Sequence, residues 1–128
     1  MGETRSAFGV LVVEDGDKTR RLVADVLREA RCRVWTASDG VEAVEILEAE
    51  RVDLLLTDYD MPRMNGLELL RWSQAHVPHV PRVLMTGHER EAVAAEAWKC
   101  GAQRILLKPF SVDHLLLILG ELRVAAAA

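Results

Sequence analysis

The sequence predicts an α/β fold, a doubly wound parallel sheet of five strands with helices on both faces. Five short runs rich in apolar residues alternate along the chain with segments whose apolar residues recur every three or four positions. Such alternation is typical of parallel strands joined by helices. The run that ends at Asp58 is too short for a helix, and it is apolar on both faces. This pattern is typical of a strand buried inside a parallel sheet.

The first half of the chain contains three predicted strands, over residues 8–13, over 33–37 and in the run that ends at Asp58. A helix is expected after each of the first two. Asp17 is the expected N-cap of the first helix, and the Ser-Asp-Gly segment at 38–40 leads into the second.

The second half continues the alternation. Its predicted elements are a turn at 64–66 followed by a helix, a strand over 82–86, a helix from about 89 to 99, a strand over 104–107 and a last helix from 111. Gly101 is the expected left-handed stop after the fourth helix. Right-handed crossovers leave few strand orders, and the flavodoxin-like order 2-1-3-4-5 suits a chain of this length.

Composition narrows the class of protein. In this chain of 128 residues, one domain is expected over residues 1–124, and the alanines at 125–128 are expected to form a tail, a linker or an appended end. The net charge of −4 weighs against nucleic acid as a direct partner. No apolar run approaches the roughly 18 residues that span a bilayer. Cys32 and Cys100 are isolated, which favours reduced, packed thiols in a cytoplasmic protein.

The polar residues best suited to chemistry follow the carboxyl ends of predicted strands: Glu14, Asp15, Asp58, Thr86 and Lys108. In the order 2-1-3-4-5, strands one and three are neighbours, so the first two acids should meet Asp58. Clustered carboxylates repel one another unless a proton or cation holds them together. Oxygen ligands without nearby His or Cys favour a hard ion, and Mg²⁺ fits best. Such a site, with an ammonium and a hydroxyl, could neutralise a phosphoryl group that a carboxylate accepts.

Four motifs occur in order along nearly the whole chain: Leu11-Val12-Val13-Glu14-Asp15, Asp58-Tyr59-Asp60-Met61-Pro62-Arg63-Met64-Asn65-Gly66, Leu84-Met85-Thr86-Gly87 and Leu107-Lys108-Pro109-Phe110. Together they resemble the response-regulator receiver domains of two-component signalling systems, in particular single-domain chemotaxis regulators. The second motif is similar to the D-x-x-M-P-x-M-x-G pattern around the phosphoacceptor of that family, and the fourth to its K-P-F signature.

The resemblance implies that Asp58 takes a phosphoryl group from a sensor histidine kinase or a phosphotransfer protein, with Mg²⁺ present. It implies metal ligands from Glu14, Asp15, Asp58 and the carbonyl of Asp60. Thr86 and Lys108 would contact the phosphoryl oxygens, and Lys108-Pro109 would be a cis peptide.

The same resemblance implies a regulatory phosphoacceptor domain, not an enzyme with other substrates, although it can catalyse its own phosphorylation and dephosphorylation. The expected output is a target protein that binds through helix 4, strand 5 and helix 5, with no direct nucleic-acid contact and no membrane insertion.

Three residues depart from the pattern of that family. Gly16 replaces a third acidic residue that often follows the acidic pair. Ile105 stands where a switch Tyr or Phe is common, and Arg104 replaces an acidic residue that helps many DNA-binding members to dimerise. We therefore expect signalling without an aromatic rotamer switch, carried by Thr86 and the loop over 87–90.

The sequence is also compatible with other functions. Asp58-Tyr59-Asp60 also fits the D-x-D of haloacid-dehalogenase-type phosphatases, with Asp60 as acid/base. That motif normally lies on the first strand, and here other acids come earlier in the chain. A receiver-like interaction module without phosphorylation is a further alternative. A flavin-binding flavodoxin is disfavoured, because the loop after strand one is acidic.

Three smaller expectations complete the interpretation. Asp60 and His88 should flank the mouth of the site and set how long the phosphoryl group lasts. Trp98 is expected to pack in the core. Residues 115–119 are apolar at five successive positions, more than one buried helix face can absorb, so some should be exposed as a partner surface.

Overall fold

The computed structural model describes residues 7–87 and 89–127, and strands and helices alternate within them. The strands are β1 (Gly9–Val13), β2 (Arg33–Ala37), β3 (Leu54–Asp58), β4 (Arg82–Gly87) and β5 (Arg104–Lys108). The helices are α1 (Asp17–Glu29), α2 (Gly40–Ala49), α3 (Gly66–His76), α4 (Glu91–Lys99) and α5 (Val112–Ala127). All neighbouring strands are parallel, in the order β2-β1-β3-β4-β5. The predicted fold class and strand order are confirmed.

The central strands are buried on both faces. Every residue of β1 and β3 is buried, which explains why their sequences are continuous apolar runs instead of alternating ones. Successive residues point to opposite faces. Val12 thus packs in the core under α1 and α5, with Leu27 and Leu119, whereas Leu11 packs in the core under α2 and α3.

The start of α1 differs from the prediction. Gly16, not Asp17, occupies the N-cap, and Asp17 is the first helical residue, paired with Arg20. The Gly16 N–H donates to Glu14 Oε2 at 3.1 Å, and the Gly16 carbonyl accepts the first helical hydrogen bond from Arg20 at 2.9 Å. The chain therefore enters the helix one residue earlier than the side-chain preference for an acidic cap suggests.

The helices around the site begin and end at defined caps. Asp39 caps α2, and Asn65 forms a capping box with Glu68 at the start of α3. Gly101 has φ +96° after α4, which confirms the predicted left-handed stop. The helix α4 begins at Glu91, two residues later than predicted, because the Arg90 N–H donates to the Gly87 carbonyl in a turn.

The predictions for two apolar helical segments, in α4 and α5, have different outcomes. Trp98 is 52% exposed, so the prediction that it packs in the core is wrong: the inward position of α4 is taken by the fully buried Ala97. On α5, Leu116 and Leu117 are exposed while Leu115 is buried, which confirms the expected apolar excess. Cys32 and Cys100 are free and buried, as predicted.

The structure also covers most of the alanine tail, since α5 continues to Ala127. His88 lies outside the described residues, and so does Ala128. No described helix is both long and apolar enough to cross a membrane.

Gly66 is the glycine on which the site depends most directly. A Cβ there would lie 2.4 Å from the Asp58 carbonyl oxygen and 2.9 Å from the Tyr59 Cα. Since backbone cannot move aside cheaply, we expect Gly66→Ala to lower the free energy of unfolding by about 2–3 kcal/mol. The measurement is urea unfolding. Gly120→Ala is the control: nothing lies within 4 Å of that Cβ, and the change should stabilise α5 by roughly 0.5–1 kcal/mol. Equal stability of the two variants would contradict the prediction.

Candidate functional site

Three acidic side chains meet at the carboxyl edge of the sheet. Glu14 and Asp15 follow β1, Asp58 ends β3, and these two strands are hydrogen-bonded neighbours. One carboxylate oxygen from each residue lies within 4.8 Å of the others. Glu14 and Asp58 are buried, whereas Asp15 is exposed. The expected meeting of the three acids is confirmed.

Lys108 joins the acidic cluster from the end of β5. Its Nζ donates to Glu14 Oε1 at 2.8 Å and lies 2.9 Å from Asp58 Oδ1. The peptide bond from Lys108 to Pro109 is cis, as the family resemblance implied. The ammonium is therefore shared by the two buried carboxylates.

The charges of this cluster alter its ionisation. Burial raises the pKa of the Asp58 carboxyl, the hydrogen bond from Lys108 opposes that effect, and the charge of Glu14 adds to it. Burial alone would lower the pKa of Lys108, but its hydrogen bonds to Glu14 and Asp58 outweigh burial and raise it. Lys108 thus stays protonated, and Asp58 is harder to ionise than a free aspartate.

The donor set fits a divalent cation. At their formal charges, the three carboxylates and one ammonium sum to −2 (three negative, one positive) within this small volume. The carboxylate oxygens are ligands that hard ions such as Mg²⁺ prefer. A bound cation would also offset burial and the charge of Glu14, which together raise the pKa of Asp58.

A cleft of about 480 Å³ opens above Asp58. Its walls come from α1 and from the segments that follow β3, β4 and β5: Thr19, Leu22, Val23, Asp58, Asp60, Thr86, Gly87, Glu89, Lys108, Pro109 and Phe110. Thr86 and Lys108 come from neighbouring strands, with Gly87 paired to Lys108 in the ladder. The structure therefore brings Asp58, Thr86 and Lys108 to one cleft.

Asp60 lies on the cleft wall and outside the carboxylate cluster. Its Oδ2 accepts a hydrogen bond from Arg90 Nη2 at 2.9 Å, and the Arg90 guanidinium lies over the Tyr59 ring, 5.4 Å from its centre. Sequence reasoning missed Arg90, because no motif or periodicity marks it. The prediction that the Asp60 carbonyl binds metal stays a prediction, and so does the role expected of His88.

A second ion pair missed by sequence reasoning anchors the loop after Asp58. Arg63 has φ +69°, and its Nε and Nη2 donate to Asp39 Oδ2 at 3.0 and 2.8 Å. Asp39 also accepts the backbone N–H of Glu42, which, with Arg63, lowers the pKa of the Asp39 carboxyl. The loop is therefore tied to the N-terminus of α2.

Comparison with known proteins identifies many relatives of this chain. Residues 10–119 match the family described as "Response regulator receiver domain". The chain is 31% identical over 109 residues to the chemotaxis protein CheY of Pseudomonas aeruginosa, covering 83% of this chain and 88% of that protein. It is 32% identical over 109 residues to the regulatory protein AtoC of Escherichia coli, covering 85% of this chain but only 24% of AtoC.

Solved structures agree with these sequence matches. The chemotaxis response regulator CheY4 of Vibrio cholerae superposes with a TM-score of 0.84 at 30% identity, covering 92% of this chain and 99% of that chain. The receiver domain of Francisella response regulator 1452 gives a TM-score of 0.86 at 25% identity, covering 92% and 98%. The chain spans about a quarter of the length of AtoC and of the transcriptional regulators ZraR and NtrC, which it also matches.

The raised pKa of Asp58 has a consequence for stability. A buried acid whose folded-state pKa lies above its unfolded value destabilises the fold at neutral pH, and stability recovers as the pH falls through the folded-state pKa. We expect Asp58→Asn to raise the Tm at pH 7 by about 2–5 °C, with a smaller gain at acidic pH. Scanning calorimetry across pH measures this. Asp25→Asn, at an exposed acid of α1, is the control and should change little. A lower Tm for Asp58→Asn at pH 7 would contradict the prediction.

Proposed function

Since this chain belongs to the response regulator receiver domain family, we propose that it is a phosphoacceptor switch in which Asp58 receives a phosphoryl group from a histidine kinase. The observation that carries the proposal is the position of Lys108 Nζ, within 2.9 Å of both Glu14 and Asp58 at the base of an open cleft. A partly buried ammonium beside a carboxylate nucleophile that lines an open cleft is suited to phosphoryl transfer.

In the proposed reaction, an oxygen of Asp58 attacks the phosphorus atom of a phosphohistidine. The new P–O bond forms as the P–N bond breaks, and the bonding pair leaves with the imidazole nitrogen. Lys108 would neutralise charge on the phosphoryl oxygens, and the Thr86 hydroxyl would donate a hydrogen bond to one of them. Lys108 Nζ lies 2.9 Å from Asp58 Oδ1 and Thr86 lines the same cleft as Asp58, which supports these roles.

We propose Mg²⁺ as the cation of this site. Glu14, Asp15, Asp58 and the carbonyl of Asp60 would hold it, and the net charge of −2 and the all-oxygen donor set support that choice. When bound, the ion supplies charge neutralisation to the acceptor carboxylate and the phosphoryl oxygens.

The proposed output is the binding of a target protein through α4, β5 and α5. This face carries large apolar side chains that are exposed, Trp98 at 52%, Leu117 at 60% and Val124 at 71%. Exposed apolar groups of this size favour a protein partner. We place the reaction in the cytoplasm, where buried free thiols such as Cys32 and Cys100 stay reduced.

The phosphatase alternative is weakened by one contact. A haloacid-dehalogenase-type enzyme needs Asp60 as a free acid/base near the nucleophile. Here the carboxylate of Asp60 is paired with Arg90. The complete set of Asp58, Thr86 and Lys108 also weighs against a module that only binds partners.

Phosphorylation of Asp58 is directly testable. With Mg²⁺ and acetyl phosphate, the wild-type protein should gain one phosphoryl group by intact mass, and Asp58→Asn should gain none. Asp15→Ala should fold normally and lose the dependence on Mg²⁺, because it removes the exposed metal ligand. Equal labelling of wild type and Asp58→Asn would show that Asp58 is not the phosphoacceptor.

Substitutions at position 105 test whether this site has room for the aromatic side chain that a rotamer switch would need. It is half-buried in the cluster with Leu84 and Val93, on the edge strand β5. A larger side chain can extend outward there, so Ile105→Tyr should cost less than about 1 kcal/mol and change the rate of phosphorylation less than about twofold. The matched control is Leu106→Tyr, at the fully buried neighbouring position, which should cost about 3 kcal/mol. Thermal unfolding compares the two. A similar loss of stability in both variants would show that position 105 has no free space.

A further inference from the structure

Asp60 is an acid at the entrance to the phosphoacceptor. It follows Asp58 by two residues, lies on the wall of the cleft and has a side chain that is 67% exposed. Its oxygens are not part of the carboxylate cluster around Asp58. A carboxylate in this position could contact the water that reaches a phosphoryl group on Asp58.

Arg90 holds that carboxylate by a hydrogen-bonded ion pair, Nη2 to Oδ2 at 2.9 Å. The guanidinium is itself placed by rigid parts of the fold. The Arg90 backbone N–H donates to the Gly87 carbonyl at 3.1 Å, and the Arg90 carbonyl accepts from Ala94 in the first turn of α4. Its guanidinium lies over the ring of Tyr59, which packs against the buried core between α3 and α4.

The ion pair contributes little to stability. Both side chains are substantially exposed, and exposed ion pairs contribute about 0–1 kcal/mol. Its consequence is positional, because it joins Asp60, which follows β3 and lines the cleft, to the segment between β4 and α4.

We infer that Arg90 is a positioning residue that keeps the Asp60 carboxylate from orienting the hydrolytic water, and thereby lengthens the life of the phosphorylated state. The inference rests on the proposed function, since it concerns the loss of a phosphoryl group from Asp58.

The hydrolysis step shows what a released Asp60 would do. The water oxygen attacks phosphorus in line with the bond to Asp58. The P–O bond to Asp58 breaks, and its electron pair returns to the carboxylate. The water gives up a proton, and inorganic phosphate leaves. A carboxylate freed from Arg90 can accept a hydrogen bond from this water and receive its proton.

The experiment is a double-mutant cycle on the whole chain. Wild type, Arg90→Ala, Asp60→Asn and the double variant are phosphorylated with acetyl phosphate and Mg²⁺. The donor is then removed, and release of inorganic phosphate gives the half-life. Arg90→Ala should shorten the half-life roughly two- to sixfold, the range that the loss of an exposed ion pair allows. In the Asp60→Asn background the same change should alter it less than about 1.5-fold, because no carboxylate is left to be released. Arg90→Lys, which keeps the charge but not the planar guanidinium, should give an intermediate half-life.

The matched control is Arg71→Ala. It removes another exposed arginine–acid pair between two elements, and its acid partner, Glu96, unlike Asp60, does not line the cleft. It should leave the half-life unchanged, and both arginine variants should keep the wild-type Tm within about 2 °C.

The outcomes separate the two claims. If wild type takes up no phosphoryl group on Asp58, both the proposed function and this inference fall. If wild type is labelled, the inference alone is overturned by any of three results: an unchanged or longer half-life in Arg90→Ala, the same factor in both backgrounds, or an equal effect of Arg71→Ala.

Discussion

The rest of the site depends on the sharing of one ammonium by two buried carboxylates. Glu14 and Asp58 could not lie side by side at the end of β1 and β3 without a compensating charge, and Lys108 supplies it from β5. The strand order makes this possible, since it puts the ends of β1 and β3 together and leaves β4 to hold Thr86 between them and the lysine. The compensation is incomplete, because Asp15 adds a third negative charge.

In the proposed phosphoacceptor role, this incomplete compensation would prepare the site for binding a cation and for phosphoryl transfer. A fully neutral cluster would bind no cation, and a cluster without Lys108 would favour a protonated, unreactive Asp58. The fold can carry such a destabilising group because its stability comes from elsewhere. The strands β1 and β3 are buried along their whole length, and each separates two apolar cores. The polar residues lie only at the strand ends, where they interrupt neither core.

Much of the fold and of the site could be predicted from the sequence, because the sequence signals are periodic apolar residues or polar residues at the ends of apolar runs. Apolar runs predicted the strands, and polar residues at the ends of those runs predicted the cluster of Glu14, Asp15 and Asp58. The strand order then followed from handedness and length. What the sequence did not predict depends on the fine placement of elements. Which residue of α4 faces inward is decided by packing at Ala97, so the larger and more apolar Trp98 lies outside.

The ion pairs around the loops could not be predicted from the sequence for the same reason. Asp39 and Arg63 are 24 residues apart, and Asp60 and Arg90 are 30 apart. Each arginine lies in an irregular segment whose conformation no repeat of apolar residues determines. The pairs form because the carboxyl ends of the parallel strands bring these loops to one edge of the sheet. Arginines beside a cluster of acids at such an edge are therefore worth testing for contacts with it, even where no motif marks them.

The short path from the site to the proposed output face is a further consequence of this arrangement. Thr86 is the penultimate residue of β4 and lines the cleft, and Arg90, the N-cap of α4, follows only four residues later. Leu84, two residues before Thr86, is paired in the ladder with Ile105, which shares a cluster with Tyr59 and Val93. A displacement of Thr86 toward a phosphoryl oxygen would thus pull directly on the start of α4 and on its contact with Asp60. Because Ile105 is branched at Cβ and lacks a polar tip, we expect this backbone segment, and not a rotamer change at Ile105, to carry the conformational change.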